Sequence, residues 1–301
     1  AVTADPAADA QADAQTASDN SAEDATAEAD SVPEDQLLSS REQFSVAAKA
    51  ALLIDLNTNR VVYEQDADER VYPASLTKIM TCLIALENGN LSDIVTVSES
   101  ALADLDEDSS VAGLVVGEQM TLENLLYCMM VVSGNDACNV IAEHVAGSVT
   151  DFVRMMNQRA YELGCTNTHF NNPHGLHDES HYTTARDLAI ITQAALKSEN
   201  FRQIVDTYEY KLPDDNMRQN IPKLKTTNML IYQSMSNSLY YPRAHGIKTG
   251  YTSQAGRCVI SEATGDGLDL LGIVCGAATT VLDSGDLLME NFTECARLFD
   301  Y

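Results

Sequence analysis

The order of hydrophobic and polar positions divides the chain into strands, then helices, then strands again. Residues 48–56 and 60–63 carry strand-like runs on either side of a short Asn-Thr-Asn turn, which predicts a hairpin. Apolar residues recur at helical spacing in four later segments, at residues 122–132, 139–145, 151–163 and 184–196. Strand patterns return at residues 208–212, 246–249, 257–262 and 268–277, and an amphipathic helix is predicted at about 284–299. This order predicts an α+β fold in which one antiparallel sheet, flanked by helices, is interrupted by a mainly helical subdomain at about residues 91–200.

The first 43 residues differ from the rest of the chain. They hold eleven acidic residues, one arginine and no aromatic residue before position 44. Such a segment cannot bury enough apolar area to offset the entropy lost on ordering. We therefore predict a disordered acidic segment at residues 1–43 and a folded domain at residues 44–301.

Charge and hydropathy exclude several classes of function. The formal net charge is −27, so binding to nucleic acid or to anionic lipid is disfavoured. No run of about eighteen apolar residues predicts a membrane span. The chain begins at Ala1 with neither an initiator methionine nor an apolar signal region, which is expected of an exported protein after removal of its signal peptide.

The seven cysteines are scattered and include no Cys-x-x-Cys pair. Most lie in apolar, periodic segments, where a free cysteine behaves as a small hydrophobic residue. The odd count and wide spacing argue against a disulfide framework, although one or two bridges stay open as an alternative.

A serine and a lysine one helical turn apart stand out in the predicted helix that follows Pro73. Ser75 and Lys78 share a helix face, and Lys78 is the only one of the seven lysines with a serine three residues before it. Pro73 suits a helix start because its missing N–H would be unpaired there. The backbone N–H of Ser75 would lie in the first turn, where N–H groups without partners favour negative charge. The segment therefore predicts a nucleophile, its base and half of an oxyanion hole.

Two later segments strengthen this interpretation, since a Ser-x-x-Lys spacing alone is common by chance. Residues 133–135 (Ser-Gly-Asn) follow an apolar helix, where the ordinary interpretation is a turn because all three residue types favour turns. Residues 248–250 (Lys-Thr-Gly) lie between a turn-rich stretch and a strand-like one. The three elements occur once each, in the order found in penicillin-binding proteins and class A β-lactamases, with Gly134 where that pattern has aspartate.

On these segments the chain resembles the D-alanyl-D-alanine carboxypeptidase family of low-molecular-mass penicillin-binding proteins. The resemblance covers about residues 44–301. It is carried by Pro73-Ala74-Ser75-Leu76-Thr77-Lys78, Ser133-Gly134-Asn135-Asp136-Ala137-Cys138, His174-Gly175-Leu176, Ala185-Arg186-Asp187, Gly246-Ile247-Lys248-Thr249-Gly250-Tyr251-Thr252 and Ala255-Gly256. It implies a β-lactamase/transpeptidase-like fold with helices on both faces of the sheet. Many members carry a further β-domain and a membrane-associating tail, so membrane attachment is expected only through segments outside this chain.

The activity implied by the resemblance is serine-type removal of the terminal D-alanine from peptidoglycan stem peptides, without a cofactor. Ser75 would attack the carbonyl between the last two D-alanines and form an acyl-enzyme, with neutral Lys78 as its base. Ser133 would relay a proton to the departing amine, and Asn135 would hydrogen-bond the substrate backbone. β-Lactam antibiotics would acylate the same serine, and the enzyme would act on the extracytoplasmic side of the bacterial membrane.

The third segment is expected to bind the substrate. Lys248 and Thr249 would hold the free carboxylate of the peptide, and Gly250 would let the substrate backbone approach the strand edge. The backbone N–H of Tyr251 would complete the oxyanion hole with that of Ser75. Burial and the charge of Lys248 are both expected to lower the pKa of Lys78.

Two departures from the family pattern change the expected roles. Residues 226–228 (Thr-Thr-Asn) stand where some members have an arginine that holds the substrate carboxylate, so Lys248 or Arg243 is expected to take more of that task. Tyr251 stands where some relatives have histidine, which puts an acid–base role there in doubt.

Three histidines, at positions 174, 177 and 181, are the remaining candidates for chemistry. Their spacing matches no standard zinc signature, so packing within a loop is favoured over a metal site. No metal is predicted.

Three other activities compete with the carboxypeptidase interpretation. A D,D-endopeptidase that cuts cross-links would use the same residues, and a penicillin-sensing protein would be acylated without turnover. A β-lactamase is disfavoured because no Glu-x-x-Leu-Asn element for water activation lies between Ser133 and Lys248.

Overall fold

The computed structural model of the chain describes residues 44–103, 105, 109–234, 236–282 and 287–301. The acidic segment predicted at residues 1–43 lies outside the described residues. So does Ser284, the residue at which the last helix was predicted to begin.

A five-stranded antiparallel sheet forms the centre of the fold. Its strands are β1 (Ala50–Asp55), β2 (Arg60–Gln65), β7 (Ala244–Thr252), β8 (Gly256–Gly265) and β9 (Leu268–Ala277). They are arranged in the order β2-β1-β9-β8-β7, with every neighbouring pair antiparallel. The predicted hairpin and the predicted return of the chain to the same sheet are confirmed. β7, which contains the Lys-Thr-Gly segment, is an edge strand of this sheet.

Most of the helices lie between β2 and β7 in the chain. A 3-10 turn (Ala74–Thr77) leads into the first of them. The helices are α1 (Lys78–Asn88), α2 (Glu99–Leu102), α3 (Leu122–Val131), α4 (Asn135–Ala146), α5 (Val149–Glu162), α6 (Ala185–Ala195), α7 (Glu199–Val205) and α8 (Glu290–Phe299). Side chains of Thr121, Ser148, Thr184 and Ser198 accept hydrogen bonds from the first turns of α3, α5, α6 and α7, which satisfies backbone N–H groups that these helices leave unpaired.

Helices cover the sheet, so its central strands are buried in unbroken runs rather than in alternation. α8 packs on β8 and β9, while α6 packs on β1 and β9 and α7 packs on β7. At Gly272 the close approach of α8 leaves no room for a side chain, since an added Cβ would lie 2.9 Å from the ring of Phe299. This architecture is the antiparallel sheet with flanking helices that the sequence predicts.

Helix α1 is the central helix of the helical part. It contacts α3, α4, α5, α6 and α7, and its residues from Lys78 to Ala85 are all buried. A helix that is apolar on every side is stable only when it is covered on every side. The helix therefore holds Lys78 in a fixed position, directly after the 3-10 turn that carries Ser75.

Three predicted elements differ from the structure. The last helix begins at Glu290 rather than near 284, because residues Leu287–Met289 form a strand (β11) that pairs with Thr279–Val281 (β10). The stretch after α1 is mainly helical as predicted, but it also contains a strand pair that was not predicted, Ile94–Thr96 (β3) with Gln119–Thr121 (β4). The strand predicted at 208–212 is only Glu209–Tyr210 (β5), paired with Leu224–Lys225 (β6).

All seven cysteines are buried and free, as the sequence favours. Within the described residues, no helix combines the length and the apolar character that a membrane span requires.

Candidate active site

The turn that carries Ser75 has an unusual backbone. Pro73 precedes the 3-10 turn, and Ala74, its first residue, has a φ of +47°, a conformation that costs free energy for any residue with a Cβ. The sequence predicts a helix from just after Pro73, and the structure instead has this short turn before α1 begins at Lys78. The turn presents Ser75 to a cleft of about 470 Å³ that is also lined by Ser133, Asn135, Thr249 and other residues of the three motifs.

The amine of Lys78 makes three short contacts. Its Nζ lies 2.8 Å from the Oγ of Ser75, 2.7 Å from the Oδ1 of Asn135 and 2.7 Å from the backbone carbonyl oxygen of His174. Asn135 Oδ1 and the carbonyl oxygen can only accept hydrogen bonds, so a neutral amine must donate both of its N–H groups to them. Its lone pair is then directed at the Ser75 hydroxyl. The geometry prepares Lys78 to take the proton of Ser75.

The surroundings of the two motif lysines favour their uncharged forms. Lys78 and Lys248 are both almost completely buried. Burial lowers the pKa of Lys78 to about 8, while Cys138 and Asp136 oppose that shift. Burial also lowers the pKa of Lys248 well below its ordinary value, and the charge of Lys78 lowers it further.

The lowered pKa of Lys78 is as expected, and burial is its largest cause. The charge of Lys78 also lowers the pKa of Lys248, so a charge on either buried amine disfavours a charge on the other. The two amines therefore titrate together rather than as independent lysines.

The second motif joins α3 to α4 at the edge of the cleft. Ser133 has a φ of +64°, and its Oγ lies 3.0 Å from the Nζ of Lys248. Asn135 begins α4 directly after Gly134, which places its side chain against Lys78. Ser133 and Asn135 therefore each contact one of the two buried amines.

The third motif runs along β7, beside the 3-10 turn that carries Ser75 (Ala74–Thr77, the nucleophile turn). A Cβ added at Gly250 would lie 3.0 Å from both the backbone nitrogen of Ser75 and the carbonyl oxygen of Pro73, so the strand passes close to the turn. The Nζ of Lys248 also donates to the carbonyl oxygen of Thr249 at 3.0 Å. Tyr251 lines the same cleft with 59% of its surface exposed. All eight residues predicted for the site thus lie in or directly behind one cleft.

Thr227 and Arg243, the two positions discussed for the substrate carboxylate, lie in different places. The Oγ1 of Thr227 is 2.6 Å from the Oγ1 of Thr249, and both residues line the cleft. Arg243 does not line it, and its guanidinium pairs with Asp266 at 2.6 Å. The expectation that Arg243 could hold a substrate carboxylate is wrong, because Arg243 precedes β7 at the end remote from the nucleophile.

The role of the loop that precedes α6 was not predicted from the sequence. The hydroxyl of Thr81 donates to the carbonyl oxygen of Pro173 at 2.6 Å, and the next carbonyl, that of His174, accepts from Lys78. The Asn-Asn-Pro-His-Gly cluster marked this segment as a loop, but a backbone carbonyl has no residue-type signature that could reveal its use as an acceptor.

His181 is hydrogen-bonded to the nucleophile turn through the side chain of Thr77. Its Nδ1 accepts from the backbone N–H of Asn171, so Nε2 carries the ring proton and donates to the hydroxyl of Thr77, 2.8 Å away. That hydroxyl donates in turn to the carbonyl oxygen of Ala74. Burial lowers the pKa of His181 to about 4, which keeps the ring neutral at neutral pH.

The carboxylate of Asp136 supports the opposite wall of the cleft. It accepts hydrogen bonds from the backbone nitrogens of Ala112 and Leu114, at 2.9 and 3.0 Å. The backbone nitrogen of Asn135 donates to the carbonyl oxygen of Ser110, which lines the cleft. The second motif therefore also fixes the position of this wall.

Replacing Gly175 by alanine is expected to destabilise the fold. An added Cβ would lie 1.8 Å from the carbonyl oxygen of Ala74, and the φ of Gly175 is +93°. We expect the free energy of unfolding to fall by about 3 kcal/mol or more, because a backbone clash adds to the strain of the positive φ. The matched control is Gly164→Ala, where φ is +84° and no atom lies within 4 Å of the added Cβ.

Denaturant unfolding of both variants checks this prediction. The control is expected to lose only about 1–2 kcal/mol, the cost of the backbone conformation. Equal losses in the two variants would contradict the close contact between the loop and the nucleophile turn.

Taken together, the site belongs to a recognisable chemical class. A serine hydroxyl lies within hydrogen-bond reach of a buried lysine with a lowered pKa, at the mouth of a cleft that an edge strand borders. This arrangement suits acyl transfer through a covalent serine intermediate.

Comparison with known proteins agrees with that class. The family model described as D-alanyl-D-alanine carboxypeptidase matches residues 37–279, and the chain belongs to this family. D-alanyl-D-alanine carboxypeptidase DacF of Bacillus subtilis (strain 168) is 40% identical over 240 residues, which are 77% of this chain and 58% of that protein. D-alanyl-D-alanine carboxypeptidase DacA of Escherichia coli (strain K12) is 35% identical over 242 residues, covering 78% of this chain and 57% of that one.

Solved structures show the same fold. The crystal structure of the Streptomyces K15 DD-transpeptidase has a TM-score of 0.74 and 29% identity, with 86% of this chain and 97% of that chain covered. Penicillin-binding protein 5 from Haemophilus influenzae has a TM-score of 0.71 and 31% identity, with 85% and 70% covered. The chain spans a little under three fifths of the length of the curated carboxypeptidases named above.

Proposed function

We propose that this chain is a serine-type D-Ala-D-Ala carboxypeptidase that removes the terminal D-alanine from peptidoglycan stem peptides. The observation that carries the proposal is the 2.8 Å contact between the Nζ of Lys78 and the Oγ of Ser75, in a cleft that β7 borders. Membership of the D-alanyl-D-alanine carboxypeptidase family supports the choice of substrate. β-Lactams are expected to acylate the same serine, and the substrate implies an extracytoplasmic location.

In the proposed first step, the lone pair of Lys78 accepts the Ser75 proton while Oγ attacks the carbonyl carbon of the penultimate D-alanine. The negative charge that develops on the carbonyl oxygen would be stabilised by the backbone N–H groups of Ser75 and Tyr251. The close approach of Gly250 to the Ser75 nitrogen supports this assignment. Loss of one such donor typically costs about 3–4 kcal/mol of transition-state stabilisation.

In the second step the bond to the terminal D-alanine breaks, and its nitrogen takes a proton. Ser133 is the proposed relay: its hydroxyl, which is hydrogen-bonded to Lys248, would pass the proton that Lys78 took from Ser75 to this nitrogen, which leaves Lys78 neutral again. Water then attacks the ester on Ser75, and neutral Lys78 accepts the proton of the water and returns it to the departing Oγ of Ser75. This step releases the shortened peptide and restores the free serine.

The terminal carboxylate is proposed to bind at Thr249 and Thr227, beside Lys248. An anion at this position would favour the charged form of Lys248. Because charge on one buried amine disfavours charge on the other, Lys78 would then be more readily neutral. Binding of the correct substrate thus prepares the base, which favours peptides with a free C-terminus.

The direct test is incubation with a stem pentapeptide that ends in D-Ala-D-Ala, followed by mass spectrometry. Loss of one alanine residue is expected. An intact pentapeptide in the presence of protein that binds labelled penicillin would contradict carboxypeptidase activity and would favour the penicillin-sensing alternative. Cleavage of a cross-linked dimer at a higher kcat/KM than the pentapeptide would favour the endopeptidase alternative.

The rate of acylation is expected to rise with pH. The active form of Lys78 is the neutral amine, and a pKa of about 8 leaves roughly a tenth of the molecules in that form at pH 7. The second-order rate constant for acylation by a chromogenic β-lactam should therefore increase almost tenfold per pH unit below 8 and level off above it. A rate constant that does not change between pH 6.5 and 9 would contradict the role of Lys78 as base.

A further inference from the structure

Arg257 lines the same cleft as Ser75 and Ser133. It is the second residue of β8 and stands directly opposite Tyr251 on β7. Its guanidinium carbon is 4.9 Å from the centre of the Tyr251 ring, and its Nε donates to the hydroxyl of Thr279. Arg257 lines the cleft together with Tyr251 and Thr252.

The charge of Arg257 has no counterpart on the described part of the chain. No carboxylate there lies within ion-pair distance of it, whereas Arg202 pairs with Glu262, Arg218 with Glu118 and Arg243 with Asp266. Apart from the Nε contact with Thr279, its N–H groups have no hydrogen-bond partner among the described residues. In a chain with a formal charge of −27, a cleft-lining cation of this kind can accept an anion from a ligand.

The position of Arg257 along a bound peptide follows from the proposed function, on which this inference rests. The leaving D-alanine lies toward Ser133, Thr227 and Thr249, so the acyl half of the peptide must extend toward Tyr251. Arg257 is opposite Tyr251, two residues beyond Thr249, which is about 7 Å along the strand. That distance brings its guanidinium to the residue that precedes the D-Ala-D-Ala pair.

We propose that Arg257 is a specificity-determining residue that binds a carboxylate on the side chain of the residue preceding D-Ala-D-Ala. A guanidinium and a carboxylate form two parallel hydrogen bonds, a geometry that neither a primary amide nor an amine on the substrate can reproduce. The ring of Tyr251 lies 4.9 Å from the guanidinium carbon, and the two terminal nitrogens, which bind no other described residue, stay available for both hydrogen bonds. Stem peptides with an acidic side chain at this position are the preferred substrates, and peptides with an amidated or cationic side chain are poorer ones.

The test compares three acetylated tripeptides of the form X-D-Ala-D-Ala. X is L-2-aminopimelate, its side-chain amide, or lysine, so the side chains have similar length and differ in charge. For the wild-type chain we expect kcat/KM for the carboxylate peptide to exceed that for the amide peptide by about tenfold, with the lysine peptide lower still. In Arg257→Gln this ratio should fall to about one, and Arg257→Lys should keep part of it.

Arg243→Gln is the matched control, since Arg243 lies outside the cleft and pairs with Asp266. It should retain the wild-type preference. Thermal unfolding and the stoichiometry of penicillin acylation report whether each variant is folded. A wild-type chain that cleaves the carboxylate and amide peptides equally well, or an Arg257→Gln variant that keeps the preference, would overturn the inference.

Failure of the proposed function has a different signature. In that case none of the three tripeptides loses D-alanine, whatever residue stands at position 257. The comparison therefore separates an error in the specificity assignment from an error in the activity.

Discussion

Replacing Ser75 by alanine is expected to abolish both D-alanine release and covalent penicillin binding. Ser75 is the only hydroxyl bonded to the Nζ of Lys78 among the described residues, so no other alcohol can form the acyl-enzyme there. Loss of a serine nucleophile removes the covalent route, and we expect kcat/KM to fall by at least about 10⁴-fold. Intact-mass spectrometry after incubation with penicillin should show an adduct on the wild-type chain and none on the variant.

The matched control for this change is Ser253→Ala. Ser253 is exposed in the turn between β7 and β8, and among the described residues its hydroxyl is hydrogen-bonded only to Gln254. This variant should form the adduct at the wild-type rate. An adduct of full stoichiometry on Ser75→Ala would show that the nucleophile is elsewhere and would remove the basis of the proposed mechanism.

The second large effect is expected from Lys78→Met, which removes the amine while keeping most of the length and the apolar stem of the side chain. General base catalysis contributes about 10² to 10⁴ in rate, so the acylation rate constant should fall by roughly 10³-fold. The oxygens of Asn135 and His174 would lose their donor, which costs about 1–3 kcal/mol for each buried acceptor. The variant should therefore unfold at a lower temperature than the wild type, and acylation must be measured well below that temperature.

The pH dependence distinguishes loss of the base from simple destabilisation. The slow residual acylation of Lys78→Met should lack the rise toward pH 8 that is expected of the wild type. Lys225→Met is the matched control, because Lys225 is exposed on β6 and should change neither rate nor pH profile. A Lys78→Met variant that is acylated within tenfold of the wild-type rate would exclude Lys78 as the base.

Much of the site could be predicted because its motifs are local. The spacing of Ser75 and Lys78 places them on one face of any helical turn, whatever surrounds that turn. Likewise the period of the apolar residues predicted α3, α5 and α6 to within a few residues, because each must bury one face. The predicted boundary was less accurate at the last helix, where residues Leu287–Met289 continue the apolar pattern but pair with β10.

Other parts of the site could not be predicted because they depend on contacts between segments far apart in the chain. The carbonyl oxygen of His174 is an acceptor for Lys78 across 96 positions of sequence, and every residue type has such a carbonyl. The assignment of Arg243 failed for a related reason, since an arginine near a motif in sequence can lie far from it along a strand. Arg257 received no role because nothing in its local sequence shows that it faces the cleft.

The sequence by itself determined the order of strands and helices, the three short motifs and the pairing of a serine with a lysine, because turn-by-turn geometry and apolar period are properties of neighbouring residues. Only the tertiary structure decided how deeply the two amines are buried, which carbonyl orients Lys78 and which arginine lines the cleft. Those properties depend on burial and on distances between segments. Both arise only when the helices close over α1 and β7 comes to lie against the turn of Ser75.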